Sequence, residues 1–229
     1  MGSAEKFSRI YETHRWGGTS RSGPGSDAEK IQPYLVFLQN FLDQNTGALD
    51  SVLDLGCGDW AFSRKIDWGS VHYTGLDVVP SLIDENRRKF GSATKSFSLI
   101  DITKESLPQA DILISKDVLQ HLSNADVNTV LGQLENFKAA IITNDVDRFH
   151  MPYWPIPIRR SVSRSNEDID SGGWRTIKLD RPPFRIESET VLVFEYRLTL
   201  RTVDRKATEI WKNPESGFSY YVPEAKGTS

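Results

Sequence analysis

In this chain of 229 residues, the spacing that could do chemistry begins at Gly56, Cys57 and Gly58. They follow a short apolar run, Val52, Leu53 and Leu55, that suits a strand buried on both sheet faces. Nineteen residues past Gly58 a second strand-like run, Val71 to Leu76, ends in Asp77. Strand, glycine turn, helix, strand and terminal acid make the nucleotide-binding half of a doubly wound sheet, with the acid placed to accept hydrogen bonds from ribose hydroxyls. A dinucleotide site wants a third glycine, where this chain has the small Ala61, a permitted variant that decides nothing. Asp54, two residues before Gly56, and Asp101 are more informative. Carboxylates there can meet an ammonium group and would repel a pyrophosphate.

The elements that must position these residues are legible in outline. Phe7, Ile10 and Tyr11 have helical spacing, followed by Trp16 and the turn-rich Ser22-Gly-Pro-Gly-Ser26. Residues 1–27 read as a lid over a ligand, with Tyr11 or Trp16 as its cover, or as a flexible leader. Ser26 and Glu29 form a capping-box pattern for an amphipathic helix to about Asn45. Trp60 to Ile66 reads as a short helix, and Pro80 and Ser81 start another, with Ser81 and Asp84 in capping positions. Ser96–Ile100 and Ala110–Ser115 read as strands; Ser123 and Asp126 cap a helix; Ala139–Thr143 is a fifth strand ending in Asn144 and Asp145. This alternation predicts an α/β, doubly wound, Rossmann-like and mostly parallel sheet of seven strands, with helices on both faces. The pattern breaks at the proline-rich Met151-Pro-Tyr-Trp-Pro-Ile-Pro157, in an irregular insert placed before the last two strands. Within it Thr176–Leu179 is a possible strand. The expected organisation is one domain over 1–229: lid 1–27, core 28–145, insert 146–190 and closing strands 191–212. The polar tail after Pro214 is expected to fray.

Composition is that of an ordinary soluble protein, with mean hydropathy −0.43 and a net charge of −3. No apolar run approaches the ~18 residues of a membrane span. The single cysteine excludes an internal disulfide and makes the cytoplasm the expected compartment. Residues 148–185 hold 8 basic and 4 acidic side chains, against 14 and 20 in residues 1–147. That local excess suits a small anionic partner, or simply a solvated loop; an extended nucleic acid would favour a wider basic face.

Val52-Leu-Asp-Leu-Gly-Cys-Gly58, Asp77-Val78, Asp101-Ile102 and Lys116-Asp-Val-Leu-Gln-His-Leu122 together resemble class I S-adenosylmethionine-dependent methyltransferases. More narrowly, Ser22–Ser26, Asp59-Trp60, Ile66-Asp-Trp68, Thr74–Pro80, Thr143-Asn-Asp145 and Gly172-Gly-Trp-Arg175 are similar to small methyltransferases of surface-glycan gene clusters, free-standing or fused to glycosyltransferases. The resemblance implies S-adenosylmethionine as cofactor. Gly56, Cys57 and Gly58 would lie against its methionine portion, and Asp54 near its ammonium. Asp77 would bind the ribose and Val78 the adenine. Asp101 and Ile102 would border the base, Asp101 accepting from its exocyclic amine, and Lys116 and Asp117 would line the sulfonium end; Trp16 of the lid is the further cofactor-binding candidate.

For methyl transfer to a hydroxyl, His121 is the candidate general base, since it follows the fourth strand at the sheet's carboxyl edge. Asp117 or Asp145 could orient it or replace it. Asp117, Asp145 and Asp147 with His121 could instead hold a magnesium ion, the less favoured alternative. The expected acceptor is a saccharide or other small anion. Arg148, Arg159, Arg160 and Arg175 could meet a phosphate or carboxylate, and Trp174, Trp154 or Tyr153 could stack on a sugar ring. A small carboxylate or amine acceptor, or a cofactor-binding module without catalysis, are the alternatives.

Overall fold

The computed structural model describes residues 2–17, 20–151 and 160–222. Tyr153, Trp154 and Arg159 lie outside the described residues, as does the side chain of Arg160. In chain order the elements are α1 (Ser3–Glu12), α2 (Gln32–Gln44), β1 (Ser51–Leu55), β2 (His72–Asp77), α3 (Pro80–Phe90), β3 (Lys95–Leu99) and β4 (Ile112–Lys116). They continue with α4 (Asn124–Leu131), β5 (Ala139–His150), the short β6 (Arg160–Ser161), β7 (Glu189–Thr199) and β8 (Thr202–Lys212).

The sheet runs β3-β2-β1-β4-β5-β8-β7, with β6 added to β5. β1 to β5 are parallel, whereas β8 pairs antiparallel with both β5 and β7. This is the Rossmann-like, mostly parallel arrangement that the alternation of elements predicts. Strand pleating explains its two faces. Val52, Ile112, Ile114 and Ile141 pack with Tyr34, Leu38 and Phe41 of α2, whereas Leu53, Leu55, Leu113, Ala140 and Ile142 pack with Val127, Val130 and Leu131 of α4. No helix among the described residues is long and apolar enough to cross a membrane.

Several local expectations give way to tertiary packing. Ser26 closes a single 3-10 turn, and α2 begins only at Gln32 with Pro33 in its first turn, so the Ser26–Glu29 capping box does not form. Trp60 to Ile66 holds one 3-10 turn, Ser63–Lys65, because Trp60 takes a left-handed φ of 56°. Its indole packs on Phe90, Tyr73 and Phe97 with ring centroids 4.7, 5.7 and 5.4 Å away. At α3 the cap is Val79 and Pro80 opens the helix, so Ser81 lies inside the first turn. Ser123 does cap α4, accepting from the Asp126 N–H at 3.1 Å. Thr176–Leu179 forms no strand. The segment after Pro214 does not fray at its start. Phe218 is buried, Tyr220 stacks near Phe41 at 6.0 Å, and the Tyr221 N–H donates to Asn45 Oδ1 at 3.0 Å.

Gly75, in β2, is a point of close approach. A Cβ there would lie 2.9 Å from both Cys57 Sγ and Phe97 Cδ1, beneath the glycine turn. Gly75→Ala is expected to cost about 1–3 kcal/mol of stability through overpacking. Urea denaturation would measure it, and an unchanged midpoint would contradict the packing described.

Candidate active site

A cavity opens at the carboxyl ends of β1, β2 and β4, where ligands bind in open α/β sheets. Its floor includes Gly56, Cys57, Asp77 and Val78, one side holds Asp101 and Ile102, and the other holds Lys116, Asp117, Val118 and His121. Ser3, Phe7 and Tyr11 of α1, with Trp16, Ser22 and Ser26, complete the wall.

The turn depends on backbone that a side chain would strain. Gly56 and Gly58 have φ of 62° and 57°. Asp77 holds the turn to β2: Oδ2 accepts from the Gly58 N–H and Oδ1 from the Val79 N–H, each at 3.0 Å. Burial raises the Asp77 carboxyl to about 6, against the hydrogen bonds that favour its ionised form. Asp59 grips the covering loop. It accepts from Ser22 Oγ at 2.7 Å and from the Arg21 N–H at 3.1 Å.

Two of the expected acids sit differently. Asp54 is not among the residues lining the cavity; its Oδ2 accepts from Ser63 Oγ at 2.7 Å and Tyr73 OH at 2.6 Å. Strand pleating turns its side chain to the layer of Trp68 and Tyr73, and burial raises it to about 6. This corrects its expected place beside an ammonium. Asp101 lines the cavity, but its carboxylate already accepts from Thr103 Oγ1 at 2.6 Å and Lys104 Nζ at 2.8 Å. Burial opposes its ionisation, and these bonds outweigh burial and hold it below the usual carboxylate range.

Behind the cavity wall lies an ionic network that the motifs do not announce. Lys206 of β8 is fully buried and donates to Asp117 and, at 2.7 Å, to Asp145. Lys116 Nζ donates to the other Asp117 oxygen and to the Gly25 carbonyl, both at 2.5 Å. Burial disfavours the Lys206 charge, yet Asp117 and Asp145 raise its pKa well above the ordinary lysine value. Burial likewise opposes a charge on Asp117, but the two ammonium groups bring it down to about 2. Asp117 takes a left-handed φ of 60°, and a Cβ on Gly25 would lie 2.6 Å from its Oδ2. The Ser22–Ser26 turn thus rests directly on this acid. Asp145 also accepts from Gln120 Nε2 and Trp174 Nε1, each at 3.1 Å, and does not line the cavity.

These contacts revise the expected roles of Asp117 and Asp145. A carboxylate held near 2 by two lysines is a poor base, and neither acid touches His121 through a hydrogen bond among the described contacts. Both are also a poor fit for a magnesium ion, because their oxygens already face ammonium groups. Among the described residues no three His, Cys, Asp or Glu side chains come together as a metal site.

His121 is half-buried on the cavity wall, with Nδ1 2.7 Å from the Gly173 carbonyl. A carbonyl only accepts, so Nδ1 carries the proton and Nε2 presents its lone pair. Burial lowers the His121 pKa, which keeps the ring neutral. Trp16 stacks near it at 5.0 Å and meets Tyr11 edge-on at 5.2 Å.

The three expected acceptor-binding residues are engaged elsewhere. Arg148 makes a bidentate pair with buried Asp204, at 2.6 and 2.7 Å, and lies 3.5 Å over the Trp174 ring. Arg175 is fully buried, donating to the Leu119 carbonyl and Asn124 Oδ1 at 3.0 Å. Burial lowers its pKa to about 10. None of the three lines the cavity, so they brace its wall from behind. The residues that the motifs missed are Lys206, Asp204, Tyr196 and Gln120. A signal existed: Asp204, Lys206 and Thr208 alternate along β8, a polar series on the face that the strand buries.

Lys206→Met removes the shared cation and leaves Asp117 and Asp145 buried with fewer partners. The expected loss is about 3–5 kcal/mol of stability, measured by urea denaturation. A loss below about 1 kcal/mol would mean that the network is not held by this ammonium.

Residues 52–137 match a family model described as "Methyltransferase domain". The malonyl-[acyl-carrier protein] O-methyltransferase of Acetivibrio thermocellus is 27% identical in an alignment of 124 positions that covers 51% of this chain and 44% of that protein. The chain thus spans less than half the length of that relative. Among solved structures, the Burkholderia thailandensis 1,6-didemethyltoxoflavin-N1-methyltransferase, with bound S-adenosylhomocysteine, aligns with a TM-score of 0.53 at 12% identity, covering 91% of each chain. The magnesium protoporphyrin IX methyltransferase of Synechocystis, with bound S-adenosylhomocysteine, aligns at 0.51 and 14% identity, covering 89% of this chain and 93% of that one. At such identities the likeness shows fold. The β3-β2-β1-β4-β5-β8-β7 order gives the chain a Rossmann-like fold, and the match to the methyltransferase-domain model lies on its parallel part.

Proposed function

We propose that this protein is an S-adenosylmethionine-dependent methyltransferase that methylates a hydroxyl of a saccharide, with His121 as general base. The observation that carries the reading is the shared cavity. Gly56, Gly58, Asp77 and Val78 line it together with His121, whose Nδ1–H is fixed on the Gly173 carbonyl. The bound cofactor supplies an electrophilic methyl group on a sulfonium. Asp77 would accept from its ribose hydroxyls, Val78 and Ile102 would border its base, and Gly56 and Cys57 would give its methionine portion room at the backbone. Lys116 and Asp117 hold the wall between that end and the covering turn. His121 Nε2 would take the acceptor's proton as the oxygen is methylated. Phe7, Tyr11 and Trp16 would exclude water from the same space.

Support for a saccharide comes from the motif resemblance, above all Ser22–Ser26 with Asp59 and Gly172–Arg175. A carboxylate acceptor is the second reading, favoured by the likeness to a malonyl-[acyl-carrier protein] O-methyltransferase. Labelled cofactor incubated with saccharide and carboxylate panels, with the product located by mass spectrometry, decides between them. Binding without product in either panel would leave a module without catalysis.

His121→Ala is expected to keep S-adenosylhomocysteine affinity within about twofold while turnover falls at least about tenfold. Unchanged turnover would remove His121 as the base. A second prediction follows from Asp77, whose buried carboxyl is raised to about 6. Its folded value lies above the unfolded one, so its stability contribution is present at low pH and lost as pH rises through 6. Ribose hydroxyls need the ionised acceptor, so S-adenosylhomocysteine affinity should rise as pH increases from 5 to 7. Calorimetric titration across that range would show the step; in Asp77→Asn it should vanish, whereas a step that survives must come from another group.

A further inference from the structure

A groove runs beside the cavity, between α1 and residues 169–173, and it is lined by Lys6, Arg9, Thr13, Arg15 and the Gly172–Gly173 turn. Helical spacing places Lys6, Arg9 and Thr13 along one side of α1; Glu5 and Glu12 neighbour Arg9 at its margin and do not line the groove. Asp170 is the acid that lines the groove, so three cations stand against one carboxylate. No ion pair to Lys6, Arg9 or Arg15 occurs among the described residues. The contrast with the basic segment 148–185 is informative. There Arg148 is paired with Asp204, Lys178 with Asp147, Arg164 with Glu167 and Arg181 with Asp180, and Arg175 is buried. Arg148, Arg175 and Lys178 of the basic segment are thus engaged within the fold, whereas Lys6, Arg9 and Arg15 are in no ion pair among the described residues.

The groove is also joined to the proposed base. The Gly173 carbonyl accepts from His121 Nδ1 at 2.7 Å, and the Gly172 N–H donates to the His121 carbonyl at 2.7 Å. α1 is the common wall, since its Phe7 and Tyr11 line the cavity and its Lys6 and Arg9 line the groove. Ser171 Oγ is committed to Asp126 and the Gly173 N–H to the Asp170 carbonyl, so recognition in the groove falls to the cations.

We propose that this groove binds the phosphate or diphosphate of a phosphorylated sugar acceptor; the proposal rests on the methyltransferase reading above. A phosphate ester carries about −1.5 to −2 at pH 7, which matches an excess of two positive charges better than a single carboxylate does. Arginine guanidiniums also suit phosphate oxygens through paired hydrogen bonds.

The test titrates the full chain with inorganic pyrophosphate, malonate and S-adenosylhomocysteine, for the natural sequence and for Lys6→Glu and Arg9→Glu. Arg9 is exposed and Lys6 half-buried, neither lines the cavity, and S-adenosylhomocysteine binding reports that each variant is folded. Pyrophosphate is expected to bind, to lose at least tenfold in affinity in each variant, and to outbind malonate, with S-adenosylhomocysteine affinity kept within twofold. Pyrophosphate affinity unmoved by either substitution, or malonate bound as tightly, would overturn the groove. A sugar phosphate and a nucleoside diphosphate sugar then compete against pyrophosphate; competition by either supports the proposal and names the source, and competition by neither overturns it. If S-adenosylhomocysteine fails to bind the natural sequence, the methyltransferase reading falls. If it binds and pyrophosphate does not, only the groove falls.

Discussion

The half of the sheet that carries β4, β5 and β8 is arranged around one buried ammonium, that of Lys206. An isolated charge at that depth would cost several kcal/mol. It is tolerated because Asp117 arrives from the end of β4 and Asp145 from β5, directly opposite Lys206 in the β5–β8 register. The consequence reaches the cavity. Asp117 sits in a left-handed conformation that few residues adopt, and two lysines and the Asp117 N–H bond to the Thr143 carbonyl hold it there. With Asp117 fixed, the adjoining Val118 and the turn at His121 have a defined starting point. The antiparallel strand is thus not merely an edge closing the sheet, since it supplies the counter-charge for the site's wall.

A second constraint works from the chain's beginning. α1 and the loop after it contribute part of the cavity wall, a smaller share than the strand ends and their loops, and they are pinned by polar contacts at both ends. Asp59 holds Ser20, Arg21 and Ser22, while Lys116 holds the Gly25 carbonyl. Arg21 adds an ion pair with Glu85 of α3 at 2.6 Å. The glycine turn and the cover are therefore one assembly, because Asp59 follows Gly58 directly. Exposed ion pairs of this kind contribute little alone. Their value here is positional.

The fold was largely legible because each parallel strand announces itself as an apolar run and each crossover as a helix. The places of the strand-end acid Asp77, the turn at Gly56 and His121 around the cavity were legible for the same reason: they follow from position on the sheet edge. What sequence could not resolve was side-chain direction. Asp54 lies two residues from the cavity-lining Gly56, yet pleating sends it to Ser63 and Tyr73. Arg148, Trp174 and Arg175 sit in an irregular segment, where no periodicity says which face is buried. They were placed at the acceptor, but they brace the wall from behind. Lys206 and Asp204 were missed because charged residues are read as exposed unless a partner is known, and their partners lie about 60 residues or more away. The Ser26–Glu29 cap failed for a related reason: the loop's own contacts with Asp117 and Lys116 outweigh a local helix start.

The return of the tail to α2 bears on how the chain reaches this state. Phe218 and Tyr220 cover part of the helix's apolar face, and Tyr221 bonds Asn45 across a separation of 176 residues. Contacts of such sequence separation form late and slow folding. During synthesis α2 precedes the segment that covers it by more than 170 residues, so that patch stays uncovered until Phe218, Tyr220 and Tyr221 arrive.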